Sequence, residues 1–416
     1  MYLRLFAATL FASVALVAPT WADEITIKVD ATPAIFAKTF KKLVTAFELE
    51  HPTIHVELDT SQRDQTDTIQ RTMRQAVVGD LPDVSFQGFN YLRLLTDGGN
   101  AQPLDDLIAV DKKWSDQYSA SVTTAATIDG KVYGLGAALS FPIIFYNADL
   151  VAETQGGNKE LPGDWEGILA VAKKIQNAHP QLLGAYTLYN SAMIQGYLMS
   201  SGGALGSSDG RSSNLTDEKG LAVFDLFRSF GEAGQAKNDM TIPQARQAFT
   251  SGTIGILVDS SSGLQGFAEQ AKGHFSLDTA HFPFAIDNPR LPTFGTAMVL
   301  HTADPVRKQA AWQFMRFVAG PSGQNIVGRM TGYVPANEVA IDRTDLLGDY
   351  YKANPAIQAA LASIPHAAPW YAFKGANAAR IDTLLGERMQ RVVTLQEKPG
   401  EAARALSDEI SGLIAP

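Results

Sequence analysis

Side-chain amides follow two segments of this 416-residue chain that have the pattern of buried β-strands. Gln87 and Asn90 come after residues 83–86, and Asn190 comes after residues 183–188. In open α/β sheets, ligands bind at the carboxyl ends of the strands. Amides at that edge can both donate and accept hydrogen bonds, so the pattern predicts a site for a polar ligand. The alternative for Asn90 is that it only caps the helix that follows.

A run of hydroxyl side chains follows a third apolar segment. Residues 259–263 read D-S-S-S-G and come directly after residues 255–258. Hydroxyls and backbone N–H groups at the start of a helix can bind ligand hydroxyls or an anion, which makes Asp259 and Ser261 candidate ligand residues. An ordinary N-cap is the alternative.

Aromatic residues concentrate at residues 369–373, which read P-W-Y-A-F. A ligand site that is lined by aromatic side chains offers a flat apolar surface beside a few polar groups. Trp370 is therefore a candidate for contact with the face of a ligand. The alternative is that the cluster anchors the helices of the C-terminal part in the core.

Motifs for catalysis and metal binding give no comparable signal. Residues 206–210 (G-S-S-D-G) formally fit the G-x-S-x-G pattern, but they lie in a Gly/Ser-rich stretch that is typical of a surface turn. His51 and His55 are four residues apart, yet Pro52 between them is incompatible with a helical zinc pair. The chain has no cysteine, which excludes disulfides and thiolate ligands. We predict no catalytic residue, no metal site and no cofactor, although a pair of glycosidase carboxylates stays open because carboxylates are numerous.

The elements that must position these residues alternate along the chain. Residues 24–29, 53–59 and 83–86 have strand patterns, and residues 34–50 and 67–78 between them have helical spacing. This rhythm returns later in the chain and predicts an α/β fold with a mostly parallel sheet flanked by helices. No long linker divides the chain, so two lobes joined by several crossing strands fit better than two separate domains.

The beginning of the chain has the pattern of a cleavable secretory signal. Arg4 precedes an uncharged apolar stretch at residues 5–17, and a small residue for cleavage stands at Ala22. The apolar stretch is shorter than the roughly 20 residues of a membrane anchor, which is the alternative. Without a cysteine for lipid attachment, we expect export to the periplasm. The net charge of −9, with scattered Lys and Arg, predicts no nucleic-acid partner.

Residues 136–149 (GAALSFPIIFYNAD) resemble the signature of the family-1 extracellular solute-binding proteins, which include maltose-binding and glycerol-3-phosphate-binding proteins. Ile143 departs from that signature, where a smaller residue is usual. Together with five shorter segments in the same order, the resemblance extends over essentially the whole chain after the signal. Those segments are GDLPD at 79–83, LPGDW at 161–165, AFTSG at 248–252, TGYVP at 331–335 and KPGEAARA at 398–405.

The resemblance implies the two-lobed type II fold of periplasmic binding proteins, in which each lobe is a mixed β-sheet flanked by helices. Ligand would bind in the cleft between the lobes, and the lobes would close on it by a hinge motion. The chain would cross between the lobes near residues 138–140, 289–295 and 332–336. The implied bounds are a signal peptide at 1–22, an N-terminal lobe at 23–138 plus 291–333 and a C-terminal lobe at 139–290 plus 334–416.

The same resemblance implies ligand roles for residues near the crossings. Trp370 matches a tryptophan that stacks on a sugar ring, and Ser140 matches a polar ligand contact, although a hinge serine without ligand is an equal alternative. Gly295 matches a glycine at which backbone approaches ligand, and Tyr333 a tyrosine of the glycerol-3-phosphate binders. Arg380 falls near the arginine that those binders use, or else forms a surface ion pair.

Gln87 and Asn90 fall at cleft positions where maltose-binding proteins have an aromatic residue and a carboxylate. This departure argues against maltodextrin and leaves another polar solute. An acidic residue and a tyrosine of the glycerol-3-phosphate site are also not evident here, which argues against that ligand.

We therefore predict a monomeric substrate-binding subunit of an ABC importer, which captures a carbohydrate or carbohydrate derivative and delivers it to a membrane permease. Three alternatives remain at this point. The first is a receptor for an anionic glycerol or sugar derivative, which Arg380 and the serine run would serve. The second is a secreted glycoside hydrolase or lyase, and the third is a sensor for chemotaxis only.

Overall fold

The structure is a computed structural model that describes residues 24–373 and 377–414. The predicted signal peptide at 1–22 lies outside the described residues. The β-strands are β1 Ile25–Asp30, β2 Ile54–Asp59, β3 Val84–Gly88, β4 Thr127–Ile128, β5 Lys131–Val132, β6 Leu135–Ser140, β7 Pro142–Asn147, β8 Leu183–Thr187, β9 Ile254–Ser260, β10 Leu277–Ala280, β11 Leu291–Pro292, β12 Phe294–Leu300 and β13 Ala367–Ala368.

Helices connect and cover these strands. They are α1 Ala37–Glu50, α2 Gln65–Val78, α3 Leu92–Asp97, α4 Asp105–Val110, α5 Lys112–Ser115, α6 Ala120–Ala125, α7 Ala148–Thr154, α8 Trp165–Ala178, α9 Ser191–Ser200, α10 Glu218–Glu232, α11 Ile242–Thr250, α12 Leu264–Ala271, α13 Pro305–Val318, α14 Pro321–Met330, α15 Glu338–Asp342, α16 Asp349–Lys352, α17 Gln358–Leu361, α18 Ala378–Val393 and α19 Pro399–Ile414. No described helix is long and apolar enough to cross a membrane.

The first sheet has five strands in the order β2-β1-β3-β12-β6. Strands β1, β2 and β3 are parallel to one another, and β12 runs antiparallel to both of its neighbours. Its core includes Phe47, whose ring meets Phe314 and Phe317 edge-on at centroid distances of 5.2 and 5.6 Å. Such aromatic packing fixes α1 and α13 on the same face of the sheet.

The second sheet has four strands in the order β10-β7-β9-β8, of which only β8 and β9 are parallel. Its core centres on Tyr197, a fully buried residue of α9. The ring of Tyr197 lies 5.0 Å from that of Trp165 and 4.9 Å from that of Phe282. Each sheet is therefore covered by helices and has its own aromatic core, and the predicted α/β fold with two mixed sheets is confirmed. The expectation of a mostly parallel sheet is wrong, because the pairings of β12 and of β7 are antiparallel.

The chain passes from the first sheet to the second within one residue, because β6 ends at Ser140 and β7 begins at Pro142. It returns before β12, which pairs with β6 in the first sheet. An isolated bridge between Leu139 and Val334 adds a third segment at the same place. The bounds of the two lobes stay a prediction. Helix α15, which these bounds assign to the C-terminal lobe, contacts α14, which they assign to the N-terminal lobe.

Candidate functional site

A cavity of about 720 Å³ lies between the carboxyl-end loops of the two sheets. The first sheet and its helices contribute loop residues after β3, the start of α2, the end of β6 and the start of β12. The second contributes the residues after β8 and β9, the segment before α11 and one face of α18. The lining residues are Gln65, Thr66, Phe89, Asn90, Tyr91, Ser140, Leu188, Tyr189, Asn190, Ser191, Ala192, Met240, Thr241, Ile242, Ser260, Ser262, Thr293, Phe294, Gly295, Tyr333, Trp370, Asp382, Thr383 and Gly386.

Asn90 lines the cavity from the short 3-10 turn Phe89–Tyr91, which follows β3. Tyr91, and not Asn90, occupies the N-cap position of α3. The structure therefore does not use Asn90 as the cap of that helix. Its half-buried amide lies where a ligand hydroxyl could both donate to it and accept from it.

Gln87 does not line the cavity, in contrast to the sequence-based expectation. Its side chain is fully buried, and Nε2 donates to Thr72 Oγ1 and to Ser85 Oγ, each at 2.8 Å. The Ser85 hydroxyl in turn lies 2.6 Å from Nε2 of His301. Successive residues of a strand point to opposite faces, and this turns Gln87 towards α2 instead of the cleft. Gln87 thus supports β3, the strand that leads into the turn with Asn90.

The serine run shows the same division between buried and cavity-lining residues. Asp259 is fully buried and accepts two hydrogen bonds from Arg246, at 2.7 and 2.9 Å. Ser261 is also fully buried, and its Oγ accepts from the backbone N–H of Phe141 at 3.1 Å. The expectation that these two side chains face the ligand is thus not met in this structure. Ser260 and Ser262, which alternate with these two residues along the chain, line the cavity.

Phe141 and Ser261 form a two-bond link at the first crossing. The Phe141 carbonyl accepts from the backbone N–H of Ser261 at 2.8 Å, opposite the bond from Phe141 to Ser261 Oγ. Ser140, which is buried, lines the cavity beside this link. The loop after β9 is consequently tied to the segment that joins the two sheets.

Gly295 lines the cavity with a positive φ of 98°. A Cβ at this position would lie 2.0 Å from the carbonyl oxygen of Ala138 on β6, so no other residue fits. The sequence predicts this glycine as a place of backbone approach to ligand. The structure adds a different reason for it, which is the close packing of β12 on β6 at the crossing.

Trp370 lines the cavity and is held in place by its neighbours. Its Nε1 donates to the carbonyl of Thr293 at 2.5 Å, and its ring lies 5.5 Å from that of Phe294. Gln195, buried in α9, donates to the carbonyl of Tyr371 and accepts from its N–H, both at 3.0 Å. Both alternatives for the aromatic cluster are therefore present: it is anchored in the fold, and the Trp370 ring borders the cavity.

Tyr333 lines the cavity but is largely buried, and its ring lies 5.5 Å from that of Phe36. Burial raises the pKa of Tyr333 to about 12, although Arg246 and Ser262 act in the opposite direction. Its hydroxyl therefore stays protonated at neutral pH and can donate a hydrogen bond.

Asn190 lines the cavity, and its Oδ1 accepts from the backbone N–H of Met193 at 3.0 Å, as the N-cap of α9. Arg380 does not line the cavity and is exposed on α18. The neighbouring residues Asp382, Thr383 and Gly386 of that helix line the cavity instead. The predicted interaction of Arg380 with an anionic ligand in the cavity is therefore not supported by this structure.

Tyr189 and Asp382 are cavity residues that sequence reasoning missed. Tyr189 donates to Asp239 at 2.7 Å, and Asp382 accepts from Ser191 at 2.9 Å. Tyr189 stands next to the predicted Asn190 in the chain, so the strand-end argument could have included it. Asp382 had no such signal, because it lies within a helix far away in sequence.

The described residues show no arrangement for metal binding, since no group of three His, Asp or Glu residues among them could hold an ion. The G-S-S-D-G motif lies in a turn, with Ser207 Oγ donating to Asp209 at 2.6 Å. The motif does not form a strand-to-helix elbow, in agreement with the surface turn that was predicted from the sequence.

Comparisons with known proteins give a consistent result. Residues 42–359 match the family model described as bacterial extracellular solute-binding protein. A protein of Brucella abortus (strain 2308) that is named as a binding protein is 24% identical over 378 residues, which cover 88% of this chain and 89% of that protein.

Two solved structures share the fold. The cyclic alpha-maltosyl-1,6-maltose binding protein from Arthrobacter globiformis superposes with a TM-score of 0.79 at 16% identity, covering 94% of this chain and 99% of that one. UgpB from Mycobacterium tuberculosis, in complex with glycerophosphocholine, also has a TM-score of 0.79, at 20% identity, and covers 94% and 98%. The matched family consists of solute-binding proteins, and the prediction that this chain is a binding protein and not an enzyme is confirmed.

Proposed function

Because the chain belongs to the bacterial extracellular solute-binding proteins, we propose that it captures a carbohydrate or carbohydrate derivative in the cavity between the two sheets. It then delivers this solute to the cognate ABC permease of the inner membrane. The same proposal includes export by the signal at residues 1–22 into the periplasm, and action as a monomer.

The observation that carries the proposal is the composition of the cavity wall. The volume of about 720 Å³ is within the range of small-molecule sites, which is about 300–1,000 Å³. Amides and hydroxyls from both sides, such as Asn90 and Ser262, suit the edges of a sugar. Aromatic rings, among them Tyr91 and Trp370, suit its C–H faces. Ligand would thereby bridge the two predicted lobes, at 23–138 plus 291–333 and at 139–290 plus 334–416.

The alternative is a receptor for an anionic glycerol or sugar derivative. One solved relative of the same fold is a complex with glycerophosphocholine, which keeps this class open. The residues of this chain support it less, because Arg380 is exposed outside the cavity and Arg246 is paired with Asp259. A carbohydrate without an anionic group is therefore the better supported ligand.

The test is thermal unfolding of residues 23–416 with mono- and oligosaccharides, polyols and glycerophosphoryl compounds. A ligand at 100 times its Kd stabilises the folded state by about 2.7 kcal/mol. We expect a carbohydrate without an anionic group to raise the Tm of the wild type and of Trp370→Phe, but not the Tm of Trp370→Ala. The absence of a shift with every carbohydrate would contradict the proposal.

A further inference from the structure

The cavity wall carries an unbalanced charge. Among the described residues that line the cavity, Asp382 is the one acidic or basic side chain that is charged at neutral pH. No described Lys or Arg lines the cavity. Arg246 is bonded twice to Asp259, and Arg380 is exposed on α18. The described wall therefore presents a carboxylate to whatever binds there.

Asp382 is an exposed residue that borders the cavity and accepts a hydrogen bond from the neighbouring helix α9. It lies on the cavity-facing side of α18, and Ser191 Oγ at the start of α9 donates to its Oδ1 at 2.9 Å. Although the residue is exposed, desolvation by the surrounding protein raises the pKa of Asp382, and the Ser191 hydroxyl acts against that shift. This direction is the one expected for a carboxylate that lacks a neighbouring cation.

Aromatic rings stand in the same wall. Tyr189 precedes Ser191 by two residues, and its hydroxyl is committed to Asp239 at 2.7 Å, outside the cavity. The Tyr189 side chain thus contributes its ring, and not a free hydroxyl, to the site. Carboxylates and aromatic faces together are the groups that bind an ammonium ion.

We propose that Asp382 makes this cavity select carbohydrates that carry an ammonium group, and reject those that carry a phosphate. This inference rests on the proposed function, since it assigns a ligand class to the same cavity. An amino sugar would donate charge-assisted hydrogen bonds to Asp382. A phosphate at the same place would meet like charge.

The experiment compares four disaccharides with one linkage by titration calorimetry at pH 7 and low salt. They are the glucosamine disaccharide chitobiose, its N,N′-diacetyl form, cellobiose and cellobiose 6-phosphate. We expect chitobiose to bind the wild type at least about tenfold more tightly than cellobiose, as for hydrogen bonds to a charged group. The phosphate should bind more weakly than cellobiose.

Two variants separate Asp382 from general charge effects. Asp382→Asn removes the charge in the cavity, and Glu387→Gln removes one from an exposed position of the same helix. The preference for chitobiose should disappear in Asp382→Asn and persist in Glu387→Gln. Unchanged Tm values of both variants show that the fold is intact.

Equal affinities for chitobiose and cellobiose, or a preference that survives in Asp382→Asn, would overturn the inference. So would tightest binding of the phosphate, or no binding of chitobiose at all. If neutral sugars bind without a preference for the amine, this inference fails and the proposed function stands. If no carbohydrate of the thermal panel binds either, both fail.

Discussion

The loops after β3 and β9 both line the cavity, and at both places buried polar residues stand beside cavity-lining ones. After β9, the buried members are Asp259 and Ser261, which bond to Arg246 and to the crossing residue Phe141. At the end of β3, the buried member is Gln87, whose bonds stay within the first sheet and α2. The β9 loop is thus coupled to the connection between the sheets, whereas the β3 loop is anchored within one of them.

This difference shows that a polar strand end has two tasks. The residues whose side chains point inward stabilise the loop. Their neighbours in the chain point to the opposite side and can contact ligand. We expect the inward residues to affect mainly the free energy of unfolding, and the outward ones mainly the affinity.

The largest expected effect is on the pH dependence of the free energy of unfolding. It comes from the buried hydrogen-bond network of Gln87, Ser85 and His301. Burial lowers the pKa of His301 to about 4 in the folded chain, against 6.5 for an ordinary histidine. The unfolded chain therefore binds the proton first as the pH falls. The stabilisation by neutral His301 is complete above about pH 6.5 and is lost towards pH 4, by about 3 kcal/mol at most.

Denaturant unfolding at pH 7, 5.5 and 4 measures this effect. The stability difference between the wild type and His301→Gln should shrink as the pH falls. The control is His281→Gln at an exposed position, which should not change the slope. A constant difference between wild type and His301→Gln would contradict the assignment of a neutral buried His301.

The next effect concerns the β9 side. Asp259→Ala leaves Arg246, whose side chain is 39% exposed, without its partner. Breaking a fully buried pair costs about 3–5 kcal/mol, and the partial exposure of Arg246 reduces this to about 2 kcal/mol. Urea unfolding should show this loss, and Glu269→Ala on the exposed face of α12 should show almost none. Equal stabilities of the two variants would remove the structural role of Asp259.

A smaller loss is expected on the β3 side. Gln87→Ala removes the donor to Thr72 and Ser85 and should cost about 1.5 kcal/mol, within the range for a buried hydrogen-bonding group. The exposed Gln358→Ala is the matched control. If Gln87→Ala is as stable as that control, the buried network does not support β3.

The smallest effect on stability is expected for the residues that face the cavity. Asn90→Ala and Ser262→Ala should each stay within about 0.5 kcal/mol of the wild type, as is usual for side chains outside the core. Thermal unfolding without ligand measures this. A large loss in either variant would mean that these residues support the fold, as their inward neighbours do.

The sequence was sufficient for the α/β class and for the loops that form the site. The loops after β3, β8 and β9 could be located because apolar runs end there in polar residues. The side chains that point inward at the strand ends could not be identified from the sequence. Gln87 and Asp259 are polar, and it is the packing of α2 and α11 on the sheets that supplies their partners Thr72 and Arg246. Asp382 was beyond reach for the same reason, since only the packing of α18 against α9 brings it to the cavity.

Helix α9 shows another limit of sequence reasoning. It was not predicted, because its residues from Met193 to Ser200 are all buried and it therefore lacks a polar face. Gly295 was predicted as a place where the backbone approaches ligand, whereas its close packing against Ala138 follows from the crossing geometry alone.

Titration calorimetry with the best carbohydrate of the thermal panel tests the central claim most directly. At equal fractions of folded protein, Asn90→Ala and Ser262→Ala should each weaken binding by about 1 kcal/mol, or roughly fivefold. Gln87→Ala should bind as the wild type does, despite its lower stability. Wild-type affinity in both cavity variants, together with a loss in Gln87→Ala, would contradict the account.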